Sequence, residues 1–147
     1  ANVFAGQSVL GFGVGARTYA NNLHFRNIAE QDTSQSTLEY IQKIEVQKNV
    51  MESIVYLSED EQMRKHIIYN LEHLDKKKFW ELFGGRIEDL FPKQYHQMLG
   101  LGLITDDGDK LYITPKGLSF RDVMAGEFFS EAALRSELIY RRTAASK

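Results

Sequence analysis

The chain has 147 residues, 43% apolar and 26% charged, enough for one domain with a proper core or one domain plus part of another. A net charge of −2 gives no bulk attraction to nucleic acid or to an anionic membrane surface. The absence of cysteine excludes disulfides, thiolate zinc sites, cysteine nucleophiles and cysteine-ligated iron–sulfur clusters held by this chain.

In chain order, residues 1–20 are small, glycine-rich and nearly uncharged, and Val9 to Val14 reads as a buried strand leading into a loop. Gly11, Gly13 and Ala16 carry the G-x-G-x-x-A spacing of dinucleotide-binding turns. Arg17 to Asn22 is a poor helix start and no second strand follows at βαβ spacing, so the glycines read instead as places of close backbone or ligand approach. Asn21 to Ser36 is polar and irregular, most structured around Asn22 to Asn27. Ser36 to Gln47 fits an amphipathic helix capped by Ser36 or Thr37, with Leu38, Ile41 and Ile44 on its inner face. Val50 to Leu57 is a short helix or an extended connection.

Ser58 and Glu61 form a capping box, after which Met63, Ile67, Leu71 and Leu74 make one buried helical stripe. His66 and His73 stand seven apart, too far for an i,i+4 metal pair, and read as surface or boundary residues. Asp75 caps the next helix, whose first turn holds Lys76, Lys77 and Lys78, either a solvated face or an anion-binding patch, and Gly84-Gly85 ends it. Residues 94–129 read as helix, hairpin, helix. The first helix stops at Gly100, and Leu101–Thr105 and Leu111–Ile113 are strands joined by an Asp-Asp-Gly-Asp turn. Thr114-Pro115 opens a helix burying Leu118, Val123, Met124 and Phe128, and Ala132 to Arg142 is a last helix. The expected fold is α+β and mostly helical: a helical bundle with a winged-helix-like hairpin unit, preceded by a single remnant strand. Taken alone, that unit suggests a non-catalytic winged-helix module binding nucleic acid or protein. Its helices are thin in cations for phosphate neutralisation, with Lys116 and Arg121 set against Asp122 and Glu127.

Gly11-Phe12-Gly13-Val14-Gly15-Ala16-Arg17-Thr18-Tyr19 and the following His24-Phe25-Arg26-Asn27 resemble the segment closing the catalytic barrel of radical-SAM enzymes like oxygen-independent coproporphyrinogen III oxidase. Leu57 to Arg64, then Leu101-Gly102-Leu103-Ile104, Leu111 to Gly117 and Glu127-Phe128-Phe129, are similar in order to that family's C-terminal domain. The resemblance implies residues 1–33 as last strand and loop of a truncated barrel, 34–57 as connecting helix and linker, and 58–147 as a domain covering the barrel mouth. It also implies S-adenosylmethionine and a [4Fe–4S] cluster in the parent protein, neither held by this chain alone, which would be inert by itself. Gly13, Gly15, Ala16 and Arg17 are its cofactor-binding candidates. Arg17, Tyr19, His24 and Arg26 are its candidates for a tetrapyrrole substrate, the arginines answering carboxylates by charge-assisted hydrogen bonds. Thr18 stands where relatives often carry serine. Oxidase, heme chaperone and heme-degrading methyltransferase stay open as activities. The remaining expectations are a cytoplasmic location, no membrane partner, and self-association through the apolar N-terminal strand.

Overall fold

Three local devices dictated by the residues are present in the computed structural model, which describes residues 8–20, 22–28 and 33–135. The Asp75 carboxylate accepts from the Lys78 N–H at 2.9 Å, and the Thr114 hydroxyl accepts from the Gly117 N–H at 3.0 Å with Pro115 in the first turn behind it. The Ser58 hydroxyl likewise accepts from the Glu61 N–H at 3.2 Å. The chain divides into two compact units, residues 1–62 and 63–147.

In the first unit, β1 (Arg17–Ala20), β2 (Leu23–Asn27) and β3 (Met51–Tyr56) form an antiparallel sheet in the order β1-β2-β3, with α1 (Thr33–Glu45) between β2 and β3. The sequence places a strand at Val9 to Val14, but only Val9 bridges, to Tyr19. Gly13 and Gly15 take φ of +101° and +67°, which turns the chain rather than extending it. Leu10 and Phe12 are exposed. The glycines lead into a β-hairpin, not a helix, so the dinucleotide fingerprint lacks its context. The irregular stretch after Asn21 contains β2, and the ambiguous run around Met51 is β3. Helix α1 begins three residues before Ser36, which lies buried inside it rather than at its cap. The expected inner stripe Leu38, Ile41 and Ile44 is exposed.

Helix α2 (Glu59–Tyr69), whose residues from Met63 on belong to the second unit, ends before Leu71, and Leu74, expected on its stripe, sits instead in β4 (His73–Asp75). After α3 (Lys76–Phe83), stopped by Gly84 at φ +71°, come α4 (Ile87–Leu90) and α5 (Pro92–Gly100). The hairpin is β5 (Ile104–Asp106) and β6 (Lys110–Ile113), and the antiparallel sheet runs β4-β6-β5. Its turn is closed by side chains: Asp106 accepts from the Gly108 N–H at 2.8 Å, and Asp107 from the Lys110 N–H at 2.7 Å. The left-handed residue after α5 is Gly102, at φ +67°, not Gly100, so β5 begins three residues later than expected. The Thr114-capped helix is broken into α6 (Pro115–Leu118) and α7 (Arg121–Gly126). That break turns Leu118 and Val123 outward while Met124 and Phe128 stay buried. The core joins Ile67, Leu71, Leu74, Phe79, Ile87, Phe91, Met98, Ile104, Leu111, Met124 and Phe128. Each unit therefore has helices beside a three-stranded sheet, where the sequence suggests a helical bundle with one hairpin and one strand. Of the expected last helix, residues 131–135 are helical and the remainder lies outside the described residues.

Candidate functional site

Period-2 alternation decides which side chains can act together on a sheet. The register pairs Arg17 with Arg26, Thr18 with Phe25 and Tyr19 with His24, so Arg17, Tyr19, His24 and Arg26 share one face of the first sheet. All four substrate candidates are thereby assembled on one patch. Tyr19 and His24 stack edge to face with centroids 4.7 Å apart. Two guanidinium groups directly across a strand pair repel, and the sheet answers with one carboxylate: Glu52 on β3 accepts from Arg26 Nη2 at 2.7 Å. The Arg26 Nε–H is buried without a partner among the described residues. Arg17 is exposed and makes no such bridge among the described residues. Glu52 escaped sequence reading because its role needs the β2–β3 register. Arg26 pairs with Ser53 and Asn27 with Met51, so Glu52 falls at an irregularity in the register that strand alternation alone does not reveal.

The glycine turn is held from inside. Gly11 N donates to the Thr18 hydroxyl at 3.0 Å, Gly13 N to the Tyr40 hydroxyl at 3.2 Å, and Gly15 N to the Ile28 carbonyl at 2.9 Å. Ala16 N donates to the Gly13 carbonyl at 3.3 Å, and the Asn27 amide bonds that same carbonyl at 2.9 Å. The N–H groups of Gly13, Gly15 and Ala16 are thus occupied within the protein. The turn can offer a ligand its open surface, since nothing lies within 4 Å of a side chain built at Gly13. Gly11 is different: a Cβ there would sit 2.5 Å from the Arg17 carbonyl oxygen, so its glycine serves the protein's own backbone.

No group of three or more His, Asp or Glu residues that could hold a metal occurs among the described residues. His73 is exposed as expected. His66 is not: it is buried against Phe79 and Phe83, with centroids at 5.9 and 5.5 Å. Burial, and then the charge of Lys78, push its imidazole down to about 4 from 6.5. Above pH 6.5 both folded and unfolded chains keep it neutral. As pH falls from 6.5 towards 4, only the unfolded chain takes the proton, so stability falls with pH in that window. The expected loss is about 2 kcal/mol, and His66→Leu should flatten that part of a urea-midpoint profile. Superimposable profiles for the two proteins would contradict this.

Of the three lysines on α3, only Lys77 and Lys78 form a solvated face. Lys76 is largely buried, its ammonium 2.8 Å from Asp106 and 3.1 Å from Glu88, while the Tyr95 hydroxyl donates to Asp106 at 2.6 Å. Burial opposes the Lys76 charge, but the hydrogen bonds to Asp106 and Glu88 outweigh it and hold the ammonium above its ordinary value. Burial likewise raises Asp106, and the bonds from Lys76, Tyr95 and Gly108 reverse the sign. The hairpin tip thus presents Asp107 and Asp109 beside this ion pair, an acidic tip that repels phosphate and disfavours a nucleic-acid reader. Between α5 and α6–α7 lies an apolar groove of about 330 Å³ lined by Met98, Leu101, Leu103, Phe120, Val123 and Met124.

No helix among the described residues is long and apolar enough to cross a membrane. None of the curated proteins matches the chain in sequence. The solved coproporphyrinogen III oxidase HemN of Escherichia coli, described as a radical SAM enzyme, shares the fold with a TM-score of 0.64 and 22% identity over 83% of this chain. The match takes in 28% of that enzyme, so the chain spans less than a third of its length. Residues 57–120 match the family model of the HemN C-terminal domain, bearing out the resemblance read from Leu57 to Arg64 and Leu101 to Gly117. Residues 57–120 are thus similar to the HemN C-terminal domain, and the likeness of fold extends over 83% of the chain.

Proposed function

We propose that this chain is the C-terminal portion of a radical-SAM protein of tetrapyrrole metabolism resembling coproporphyrinogen III oxidase. The family match over residues 57–120 carries the reading. In it, residues 1–33 end the catalytic barrel, 34–57 connect, and 58–147 form a winged-helix cover over the barrel mouth. The order α2-β4-α3-α4-α5-β5-β6, with the hairpin as wing and β4 completing the sheet, supports the winged-helix description. Exposed Leu38, Ile41 and Ile44 on α1 and Ile54 and Val55 on β3 support the presence of further chain over the first unit.

A [4Fe–4S] cluster does not fit the residues here, because its thiolate ligands are absent from the chain. No step is assigned to these residues through it. S-Adenosylmethionine would meet the open side of the Gly13–Ala16 turn, with its N–H groups already engaged. The residues' own part is recognition: Arg17 and Arg26 receive substrate carboxylates, and the edge-to-face rings of Tyr19 and His24 supply aromatic contact beside them. Replacing Arg17 and Arg26 together by alanine should weaken binding of coproporphyrin III by about tenfold or more, read by porphyrin fluorescence titration. Unchanged affinity with retained fold would refute the site.

A further inference from the structure

The arginine face is half occupied by the protein itself. A guanidinium offers a carboxylate two bidentate edges, side-on through Nε–H and Nη2 or end-on through Nη1 and Nη2. On Arg26 the side-on edge is closed, because Nε is buried. The end-on edge needs Nη2, and Nη2 already donates to Glu52 Oε2 at 2.7 Å. Arg17, directly across the strand pair, is exposed and carries no carboxylate among the described residues. The two cations therefore differ: one is open, and the other is taken by the chain's own carboxylate.

The strand ladder does not require Glu52 in that place. Arg26 lies opposite Ser53 and Asn27 opposite Met51, so Glu52 is the extra residue of a bulge, with no partner across from it on β2. The side chains of Arg26 and Glu52 are 34% and 38% exposed, so water competes for both and the bond is weak and exchangeable. The Lys76–Asp106 pair, at 16% and 14%, is the opposite case, an ion pair sealed into the fold.

We infer, on the proposed role of this face in receiving tetrapyrrole carboxylates, that Glu52 is a displaceable internal carboxylate: it occupies the place on Arg26 that a ligand carboxylate takes, and bidentate binding at Arg26 requires it to leave. Glu52 thereby sets a threshold for entry. A ligand carboxylate held on Arg17 brings a second, tethered one to Arg26, and the high local concentration of that tethered arm offsets the loss of Glu52.

The 147-residue chain is titrated with coproporphyrin III, by porphyrin fluorescence, as the unaltered protein, Glu52→Gln, Arg26→Ala and the double variant. Glu52→Gln, at an exposed position, should tighten binding about two- to fivefold, the range that partly exposed ion pairs hold, with circular dichroism unchanged. In the Arg26→Ala background the same change should gain less than about 1.5-fold, since no guanidinium remains to be freed. A general effect of removing one negative charge would persist in that background. Labelling with p-hydroxyphenylglyoxal, read by mass spectrometry, follows the same bond without any porphyrin: Arg26 should react slowly in the unaltered chain and faster in Glu52→Gln, with Arg17 changing less. Unchanged or weaker coproporphyrin binding by Glu52→Gln, an equal gain without Arg26, or equal Arg26 labelling in the two proteins would overturn this role for Glu52 and leave the arginine face as a binding site. Failure of the tetrapyrrole role itself looks different: none of the four proteins would show saturable coproporphyrin binding, and the role of Glu52 would fall with it.

Discussion

Phe79→Ala should lower the stability of the 63–147 unit by about 3–5 kcal/mol, the usual cost of emptying a buried aromatic site. Phe79 has 0% exposure and is the largest fully buried side chain among the described residues. Its ring lies 5.0 Å from that of Phe83 and 5.9 Å from His66, and it belongs to the core that joins α2, the sheet and α5. Truncation leaves a cavity that three different elements would have to move to fill. Against a typical domain stability of about 5–15 kcal/mol, that loss should shift the urea midpoint markedly or abolish cooperative unfolding. Leu82→Ala, at a 53% exposed position on the same helix, is the control and should cost less than about 1 kcal/mol. A Phe79→Ala midpoint equal to that of the control would show the core to be misassigned.

Gly117→Ala should be almost as damaging, although it adds only a methyl group. A Cβ at Gly117 would overlap the Leu103 carbonyl oxygen and stand 2.9 Å from its carbon and 2.8 Å from Ile113 Cγ1. Two of those atoms are backbone and cannot swing away. They are held there because the Leu103 carbonyl accepts from the Thr114 N–H at 2.9 Å, while the Thr114 hydroxyl caps Gly117. The methyl must therefore push α6 off the strand entry, at a cost of about 3 kcal/mol. Gly100→Ala provides the contrast. Nothing lies within 4 Å of that position, it is helical, and alanine there should be neutral or stabilising by up to about 1 kcal/mol. Thermal melting of the two variants checks both signs, and a Gly117→Ala protein as stable as the parent would contradict the close packing described.

Legibility in the sequence tracks the range of the interactions. Caps and turns are local, so Ser58, Asp75, Gly84, Asp107-Gly108 and Thr114-Pro115 announce themselves in the sequence and stand where their chemistry requires. Strand pairing is not local. β4 has three residues and no alternation to show, and it is a strand only because β6 lies beside it in register from His73–Tyr112 to Asp75–Lys110. The same holds for β3, whose apolar run is compatible with either helix or strand until β2 supplies hydrogen-bond partners. Helical periodicity also misled where packing is one-sided. Leu38, Ile41 and Ile44 have the spacing of an inner face yet are exposed, since spacing shows that a face exists and not what covers it. The arginine site was legible as residue types, Arg17 and Arg26 nine apart across a turn, but their opposition and the Glu52 bridge belong to the register.

If residues 1–147 end a larger radical-SAM polypeptide, as proposed, the native protein must carry the barrel and the cluster ligands that this chain lacks. The decisive measurement is the intact mass and full sequence of the protein as its own cells make it, captured with an antibody to the 63–147 unit. We expect a chain several times longer, with a C-x-x-x-C-x-x-C cluster motif preceding the segment that begins at Ala1. A native polypeptide of the present length, or a longer one without those three cysteines, would refute the proposal.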